Sequence, residues 1–364
     1  MEDLIKKLEP LDKQDNDLSK PPATALPLNP VGVVASKPTT GLDANIDWKS
    51  EGETSKELLD AKHILQPYKY TSSLPSKKIL SIFVDALNVW FYLPDATVTQ
   101  VKNIGHLLHT ACIMLDDIED SSPLRRGRDA AHVVCGQAQT INSANYLIIW
   151  AIDETRKLGI ASCLDDFLRE MRNSLIGQSY EFHWRDNGIC PSRGEYMEMV
   201  EKKTGSLFRF IAKLLTTLDP QNRNLNFNDL SSMLGQYFQI RDDYKNLTDT
   251  TYTETKGFCE DLDERKFSYL IQHAWNLPFP SSIRLQELFK KKERNDKDNG
   301  MTRGDKEEIL AILRKLGSFQ EAEEKMGDLL EGIICEVKKV EEATGRENKG
   351  LRGLLEKLAG KTLG

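Results

Sequence analysis

The chain has 364 residues, 39% hydrophobic and 29% charged, a balance that suits one large globular domain or two ordinary ones. A formal charge of −7, from 56 acidic and 49 basic side chains, argues against nucleic acid as a partner. Six scattered cysteines without a CxxC pair argue against a zinc site or disulfide framework and fit a reducing compartment, and no apolar run is long enough for a membrane span.

Residues 1–55 hold six of the fourteen prolines and a single aromatic, Trp48. Such a segment buries too little apolar surface to offset its ordering entropy. It reads as a disordered leader or linker, with a short helix at residues 2–9, ahead of an all-helical domain over residues 56–364. The start, Met1-Glu2-Asp3, carries neither an apolar signal region nor an Arg-rich presequence. The end, Lys361-Thr362-Leu363-Gly364, matches no prenylation or retention signal, so the expected compartment is the cytoplasm.

From residue 56 the apolar period is helical. Ile79, Ile82, Phe83, Ala86, Leu87 and Trp90 recur at i, i+3, i+4 spacing, as do Val101, Ile104, Leu107, Leu108 and Cys112. Similar stripes run over 129–157, 162–185, 194–217, 227–247 and 318–342, separated mostly by Pro and Gly. Alternating strand patterns are scarce, which predicts an all-α domain of about a dozen helices. The charged stretch Lys290–Glu308, with Gly300 and Gly304, reads as a solvated loop.

Two helical stretches each carry an acidic cluster of the same spacing. They are Asp116-Asp117-Ile118-Glu119-Asp120 and Asp242-Asp243-Tyr244-Lys245-Asn246. Each places oxygen side chains at i, i+1 and i+4, so the first and last share a helix face. Carboxylates interrupting apolar helices are costly unless something compensates them. Hard divalent cations take oxygen ligands, and Mg2+ joins carboxylates to phosphates. Cations stand nearby in the sequence: Arg125-Arg126 before Gly127, Lys203-Thr204-Gly205, Lys256 and Lys266. Adjacent arginines can clamp phosphate oxygens, and the set predicts a cradle for a diphosphate and its metal. Taken singly, each of these charges reads as ordinary surface.

These motifs, with Pro67-Tyr68-Lys69-Tyr70, Gln139-Thr140-Ile141-Asn142-Ser143-Ala144-Asn145-Tyr146, Gln239-Ile240-Arg241-Asp242-Asp243-Tyr244 and Lys256-Gly257-Phe258-Cys259-Glu260-Asp261-Leu262, carry a resemblance. Over about residues 62–345 the chain resembles the trans-isoprenyl diphosphate synthases. It is most similar to fungal geranylgeranyl diphosphate synthases, including prenyltransferase domains of fused fungal terpene synthases. The resemblance implies an isoprenoid synthase-type antiparallel helical bundle around a central cavity, working as a homodimer. It implies condensation of isopentenyl diphosphate with dimethylallyl, geranyl or farnesyl diphosphate, with three Mg2+ ions. Asp116, Asp117, Asp120, Asp242 and Asp243 are then catalytic, with Asp116, Asp120 and Asp242 as metal ligands. Arg125, Lys203, Thr204, Gln239, Asn246, Lys256 and Lys266 match positions that hold the allylic diphosphate. Lys77, His109 and Arg126 match the isopentenyl diphosphate pocket. Two helical turns separate His109 from Asp116, which turns both toward the same space. His132 and His183 read as structural.

Three departures qualify this expectation. The isopentenyl pocket of the family reads Gly-Lys-x-x-Arg; here Ser76-Lys77-Lys78-Ile79-Leu80 puts Leu80 at the arginine position. Loss of a charge-assisted phosphate contact removes about 1.5–3 kcal/mol, which predicts weak isopentenyl diphosphate binding, and a helical Lys78 would point about 200° away from Leu80. The chain-length floor, read at Ala111, Cys112, Ile148, Ile149 and Leu175, lacks the family's aromatics and predicts products of geranylgeranyl length with leakage to geranylfarnesyl. Asn246 replaces a third aspartate, as is common in the geranylgeranyl subgroup. Competing readings are a longer-chain synthase, a weakly catalytic subunit modulating a partner synthase, and a terpene cyclase. The two-sided aspartates and Lys203-Thr204-Gly205 favour elongation.

Overall fold

The longest apolar stripes become the helices that carry the site. The computed structural model describes residues 60–221, 224–249, 258–290 and 301–360. The leader read over residues 1–55 and the candidate Lys256 lie outside the described residues. In chain order α1 (Gln66–Ser73) and α2 (Ile79–Phe91) lead into α3 (Asp95–Glu119). A two-residue-per-strand hairpin follows, β1 (Leu124–Arg125) paired antiparallel with β2 (Arg128–Asp129). Then come α4 (Ala131–Cys135), α5 (Gln137–Arg156), α6 (Ala161–Asn187) and α7 (Arg193–Val200). A π-helical turn over Glu201–Gly205 leads into α8 (Ser206–Leu218) and α9 (Asn228–Thr248). Short α10 (Glu260–Asp263) and α11 (Tyr269–Trp275) precede α12 (Pro280–Lys290), α13 (Arg303–Lys315), α14 (Ser318–Thr344) and α15 (Lys349–Ala359). The all-α expectation holds.

Local chemistry explains where the elements depart from the apolar stripes. The 129–157 stripe breaks at Gly136, whose φ of 84° suits glycine alone. The 194–217 stripe is interrupted by the π turn. The loop read over 290–308 ends earlier: Thr302 caps α13 by accepting from the Asp305 N–H at 3.1 Å, because Ile309, Leu310, Ile312 and Leu313 give this charged segment a buried face. Helix α15, absent from the predicted stripes, buries Leu351, Leu354, Leu355 and Leu358; two internal glycines, Gly350 and Gly353, weaken its helical signal.

Helix α3, 25 residues and roughly 37 Å long, is the axis of the bundle. It packs against α2 and α5, α6 packs against α8, and α9 packs against α8 and α14. Ile104, Ala111 and Met114 of α3 meet Leu147, Phe167, Ile211, Leu214 and Ile240 in a continuous core. Three helices come unusually close around the π turn. A Cβ on Gly177 of α6 would lie 2.5 Å from Lys203 N, and one on Gly235 of α9 would lie 2.5 Å from Gly205 Cα. These glycines let α6 and α9 flank the segment that carries Lys203 and Thr204. The C-terminal helix closes the bundle onto α2. Buried Asn348 accepts from the Leu351 N–H at 2.9 Å and donates to Ala86 O at 2.7 Å. Trp90 Nε1 donates to Arg346 O at 3.0 Å.

Candidate active site

The C-terminal turn of α3 presents the first acidic cluster on two faces. Asp116 and Asp120 share one; Asp117, about 100° around the helix, takes another. Asp117 is 2% exposed and accepts from Arg125 Nε at 2.7 Å, with a second bond from the same guanidinium. Its role in this geometry is to seat Arg125, whose Nη2 also stands 3.7 Å from Asp116. Burial disfavours the Arg125 charge, but Asp117, Asp116 and Asp242 outweigh it and hold the guanidinium firmly protonated. Asp120 accepts from Arg185 Nη1 at 2.8 Å. Burial, and then the Asp116 charge, push its carboxyl up to about 7. Gln178 Nε2 donates to Asp116 at 3.3 Å and to Glu119 at 3.0 Å.

The second cluster has the same division of labour. Asp242 is half-buried, whereas Asp243 is 0% exposed. Asp243 accepts from Tyr196 Oη at 2.5 Å, Gln239 Nε2 at 2.9 Å and the Tyr269 N–H at 2.8 Å. Thr204 Oγ1 donates to Gln239 Oε1 at 3.0 Å, so Thr204, Gln239 and Asp243 form one chain. Asn246 accepts the Asp261 N–H at 3.3 Å and ties α9 to α10.

The two clusters are joined. Lys203 Nζ lies 3.4 Å from Asp116 and pairs with Glu181. Lys266 Nζ lies 3.5 Å from Glu181 and 3.5 Å from Asp243. The ladder Asp116–Lys203–Glu181–Lys266–Asp243 therefore spans from α3 to α9. Burial opposes the charge on both lysines, yet the surrounding carboxylates raise both above the ordinary ammonium value. Glu181, despite its burial, is held below the usual carboxylate range by Lys203 and Lys266. Sequence reasoning missed Glu181, Gln178 and Arg185. Their spacing of i, i+3 and i+7 on α6 was the available signal: a polar stripe on one face of a helix.

Of the cations read as an isopentenyl pocket, Arg126 lies close to His109, whereas Lys77 lies nearer Arg241, Lys245 and Asp242 of α9. Arg126 and Gly127, with φ of 56° and 76°, form the two-residue turn of the hairpin. The turn sends the two neighbouring arginines apart, Arg125 to Asp117 and Arg126 toward Leu74 O at 3.5 Å. His109 is half-buried. Burial, then Arg126, His106 and Arg125, push its imidazole down to about 4, so it is neutral at pH 7. Lys77 is exposed. Burial of its stem and the nearby Arg241 and Lys245 lower its ammonium below the ordinary value. Leu80 packs against the core. Lys78 is not on the helix at all. It caps α2 in the left-handed region at φ 49°, so its direction is set by that turn and not by helical phase relative to Leu80.

The expected floor is only partly inward. Ala111 is fully buried, Cys112 and Ile148 are half-buried, and burial followed by Asp116 raises the Cys112 thiol to about 11. Ile149 and Leu175 do not belong there: they are 64% and 56% exposed. On α5 the inward face is taken by Ala144, Leu147 and Ala151, and on α6 by Glu170, Gly177 and Glu181, which turns Ile149 and Leu175 outward.

The donor set suits a hard cation. Asp116, Asp120 and Asp242 offer oxygen alone, and the Asp120 carboxyl is raised first by burial and then by the neighbouring Asp116 charge, both of which a bound cation would offset. Among the described residues no three acidic, His or Cys side chains already stand arranged around an ion site. No described helix is long and apolar enough to cross a membrane.

The chain is similar to variediene synthase of Emericella variicolor, 45% identical over 304 residues, covering 83% of this chain and 42% of that protein. It is 41% identical over 308 residues to the bifunctional sesterterpene synthase astC of Talaromyces wortmannii, covering 84% and 40%. It is 38% identical over 320 residues to the bifunctional type I diterpene synthase tndC of Aspergillus flavipes, covering 88% and 41%. The chain thus spans about two fifths of the length of these curated relatives. The profile of the polyprenyl synthetase family matches residues 61–302, from α1 through both aspartate clusters, and on that match the chain belongs to this family of trans-isoprenyl diphosphate synthases.

Proposed function

We propose that this chain condenses isopentenyl diphosphate with allylic diphosphates to make geranylgeranyl diphosphate. The observation that carries the reading is the ion ladder linking Asp116 to Asp243 through Lys203, Glu181 and Lys266. It gathers protonated amines and carboxylates where a diphosphate must leave. Asp116, Asp120 and Asp242 would hold Mg2+, which when bound supplies positive charge to the departing diphosphate. Arg125, Lys203 and Lys266 remain protonated and donate hydrogen bonds to the phosphate oxygens as the allylic C–O bond breaks, its electron pair leaving with the diphosphate. The alkene of isopentenyl diphosphate then bonds to the allylic carbon, and the adjacent carbon loses a proton to the released diphosphate. The product is again an allylic diphosphate. Apolar walls at Ala111, Cys112 and Ile148 keep water from the cation.

A longer product is favoured by the small side chains of Ala111 and Cys112, and it fits the names of the relatives, one a diterpene synthase and one a sesterterpene synthase. We therefore expect geranylgeranyl diphosphate as the main product, with a minor geranylfarnesyl fraction. Incubation with Mg2+, isopentenyl diphosphate and each of dimethylallyl, geranyl and farnesyl diphosphate, followed by chromatographic sizing, tests this; farnesyl diphosphate as the end product would refute it.

We further propose that the enzyme works as a cytoplasmic homodimer. Ile141, Ile149, Leu168, Leu175, Ile176 and Tyr180 are exposed apolar side chains of α5 and α6 that a second copy would cover. Ile149→Asp should shift the protein toward monomer in sedimentation velocity, and an unchanged dimer would place the interface elsewhere.

A further inference from the structure

The segment that carries Lys203 departs from α-helical hydrogen bonding. Glu201–Gly205 form a π-helical turn, while Val200 and Ser206 on either side keep ordinary right-handed helical angles. Such a turn is wider than an α-turn, occurs mostly singly and is frequent at functional sites. Three holds keep it in place. Ser174 Oγ of α6 donates to Lys203 O at 3.3 Å, so a carbonyl inside the turn is tied to the neighbouring helix. Gly177 and Gly235 let α6 and α9 press on the turn where a Cβ would meet its backbone. The third hold is a buried ion cluster other than the ladder. Glu170, 3% exposed, accepts from Arg209 Nε at 2.9 Å and from Lys213 Nζ at 2.8 Å. Burial opposes the Glu170 charge, but Lys213 and Arg209 outweigh it and hold the carboxyl below the usual range. The same Arg209 guanidinium donates through Nη1 to Glu201 Oε1 at 3.3 Å and through Nη2 to Ser206 Oγ at 3.4 Å. Glu201 is the first residue of the turn, and Ser206 is the first beyond it. One guanidinium therefore grips both ends of the π turn and ties them to α6 through Glu170.

We infer that Arg209, anchored on Glu170, is a positioning residue for the allylic site, holding the π turn in the register that aims Lys203 at Asp116 and Glu181; this rests on the prenyl-transfer reading above, in which Lys203 binds the allylic diphosphate. Arg209 bonds to Glu170, Glu201 and Ser206 and to neither aspartate cluster, so it acts through the turn and not on the substrate. One residue of register is about 100° of helical phase, enough to take the Lys203 ammonium off its partners. Arginine suits the task because its planar fork fixes several oxygen partners in set directions, which a flexible ammonium does not.

Steady-state kinetics of the full chain with farnesyl and isopentenyl diphosphates, joined to amide hydrogen exchange, test this. Arg209→Met keeps an unbranched apolar stem and leaves Glu170 paired with Lys213. It should raise KM for farnesyl diphosphate roughly tenfold, the loss of one charge-assisted contact, with KM for isopentenyl diphosphate within about twofold. Ser174→Ala removes only a hydroxyl from a half-buried position and leaves the ion cluster whole, so it carries the test even if Arg209→Met folds poorly. It should raise the same KM about threefold. In a Lys203→Ala background both substitutions should change that KM by less than about twofold, because the side chain they aim is gone. Exchange across residues 201–206 should quicken in both variants while exchange in α14 stays as in the wild type. Undiminished effects on top of Lys203→Ala, equal KM rises for both substrates, or unchanged exchange across 201–206 would each overturn the inference and leave the prenyl-transfer reading standing. A wild type that does not condense farnesyl with isopentenyl diphosphate would overturn both.

Discussion

At the flank read as the allylic site Asp116, Lys203, Glu181, Lys266 and Asp243 pair with one another, whereas at the flank read as the isopentenyl pocket His109 and Arg126 stand without carboxylates at ion-pair distance among the described residues. The chemistry explains the difference. In the proposed reaction the allylic diphosphate must leave, so its site would have to hold carboxylates for metal and amines for phosphate together. A buried set of that kind is tolerated only when each charge has partners. In the proposed reaction isopentenyl diphosphate would keep its phosphates throughout, so a flank whose fixed charge is positive, as Arg126 supplies, would suffice. One flank is prepared for changing charge, the other for constant charge.

Removing a carboxylate from the allylic flank should have the largest effect. Asp116→Ala should lower kcat about a thousandfold in steady-state assays while the fold persists by circular dichroism. A loss below tenfold would separate Asp116 from the ionisation step. Next in size is the ladder itself. Glu181→Ala leaves Lys203 and Lys266 buried without their shared partner and should cost about 3–5 kcal/mol in denaturant titrations. A variant as stable as the wild type would mean the ladder is incidental. Gly235→Ala probes the close approach of α9 to Gly205 and should cost about 1–3 kcal/mol, because backbone and not a flexible side chain meets the new methyl.

The isopentenyl flank offers the smallest effect, through pH. His109 has a folded value of about 4, below its ordinary 6.5, so the unfolded chain takes the proton first as pH falls. Stability from this group is full above pH 6.5 and is lost progressively toward pH 4. The Tm of the ligand-free protein should fall over that window by about 2–4 °C more in the wild type than in His109→Gln. Parallel curves would show that His109 titrates normally.

Much of this comparison was legible in the sequence, and the failures have physical causes. The aspartate clusters stood out because charge inside an apolar helix needs a reason, and Arg125-Arg126 and Lys203-Thr204 gained meaning as their cationic complement. Glu181 did not stand out: a single glutamate on a polar helix gains meaning only when the fold sets it between Lys203 and Lys266, which are distant in the chain. Ile149 and Leu175 were read inward, but Leu147 and Gly177 fix the phases of α5 and α6 the other way. Lys78 was read as helical, and its left-handed turn has no glycine to announce it. The π turn that presents Lys203 and Thr204 likewise leaves no trace in an apolar period.

The central claim is that the two flanks bring two diphosphates together for carbon–carbon bond formation. A single-turnover experiment with enzyme in excess, Mg2+, farnesyl diphosphate and labelled isopentenyl diphosphate tests it most directly. The account predicts that label appears in geranylgeranyl diphosphate and that chelating the metal abolishes its appearance. Farnesyl diphosphate consumed without incorporation of label, or label incorporated equally well without metal, would contradict it.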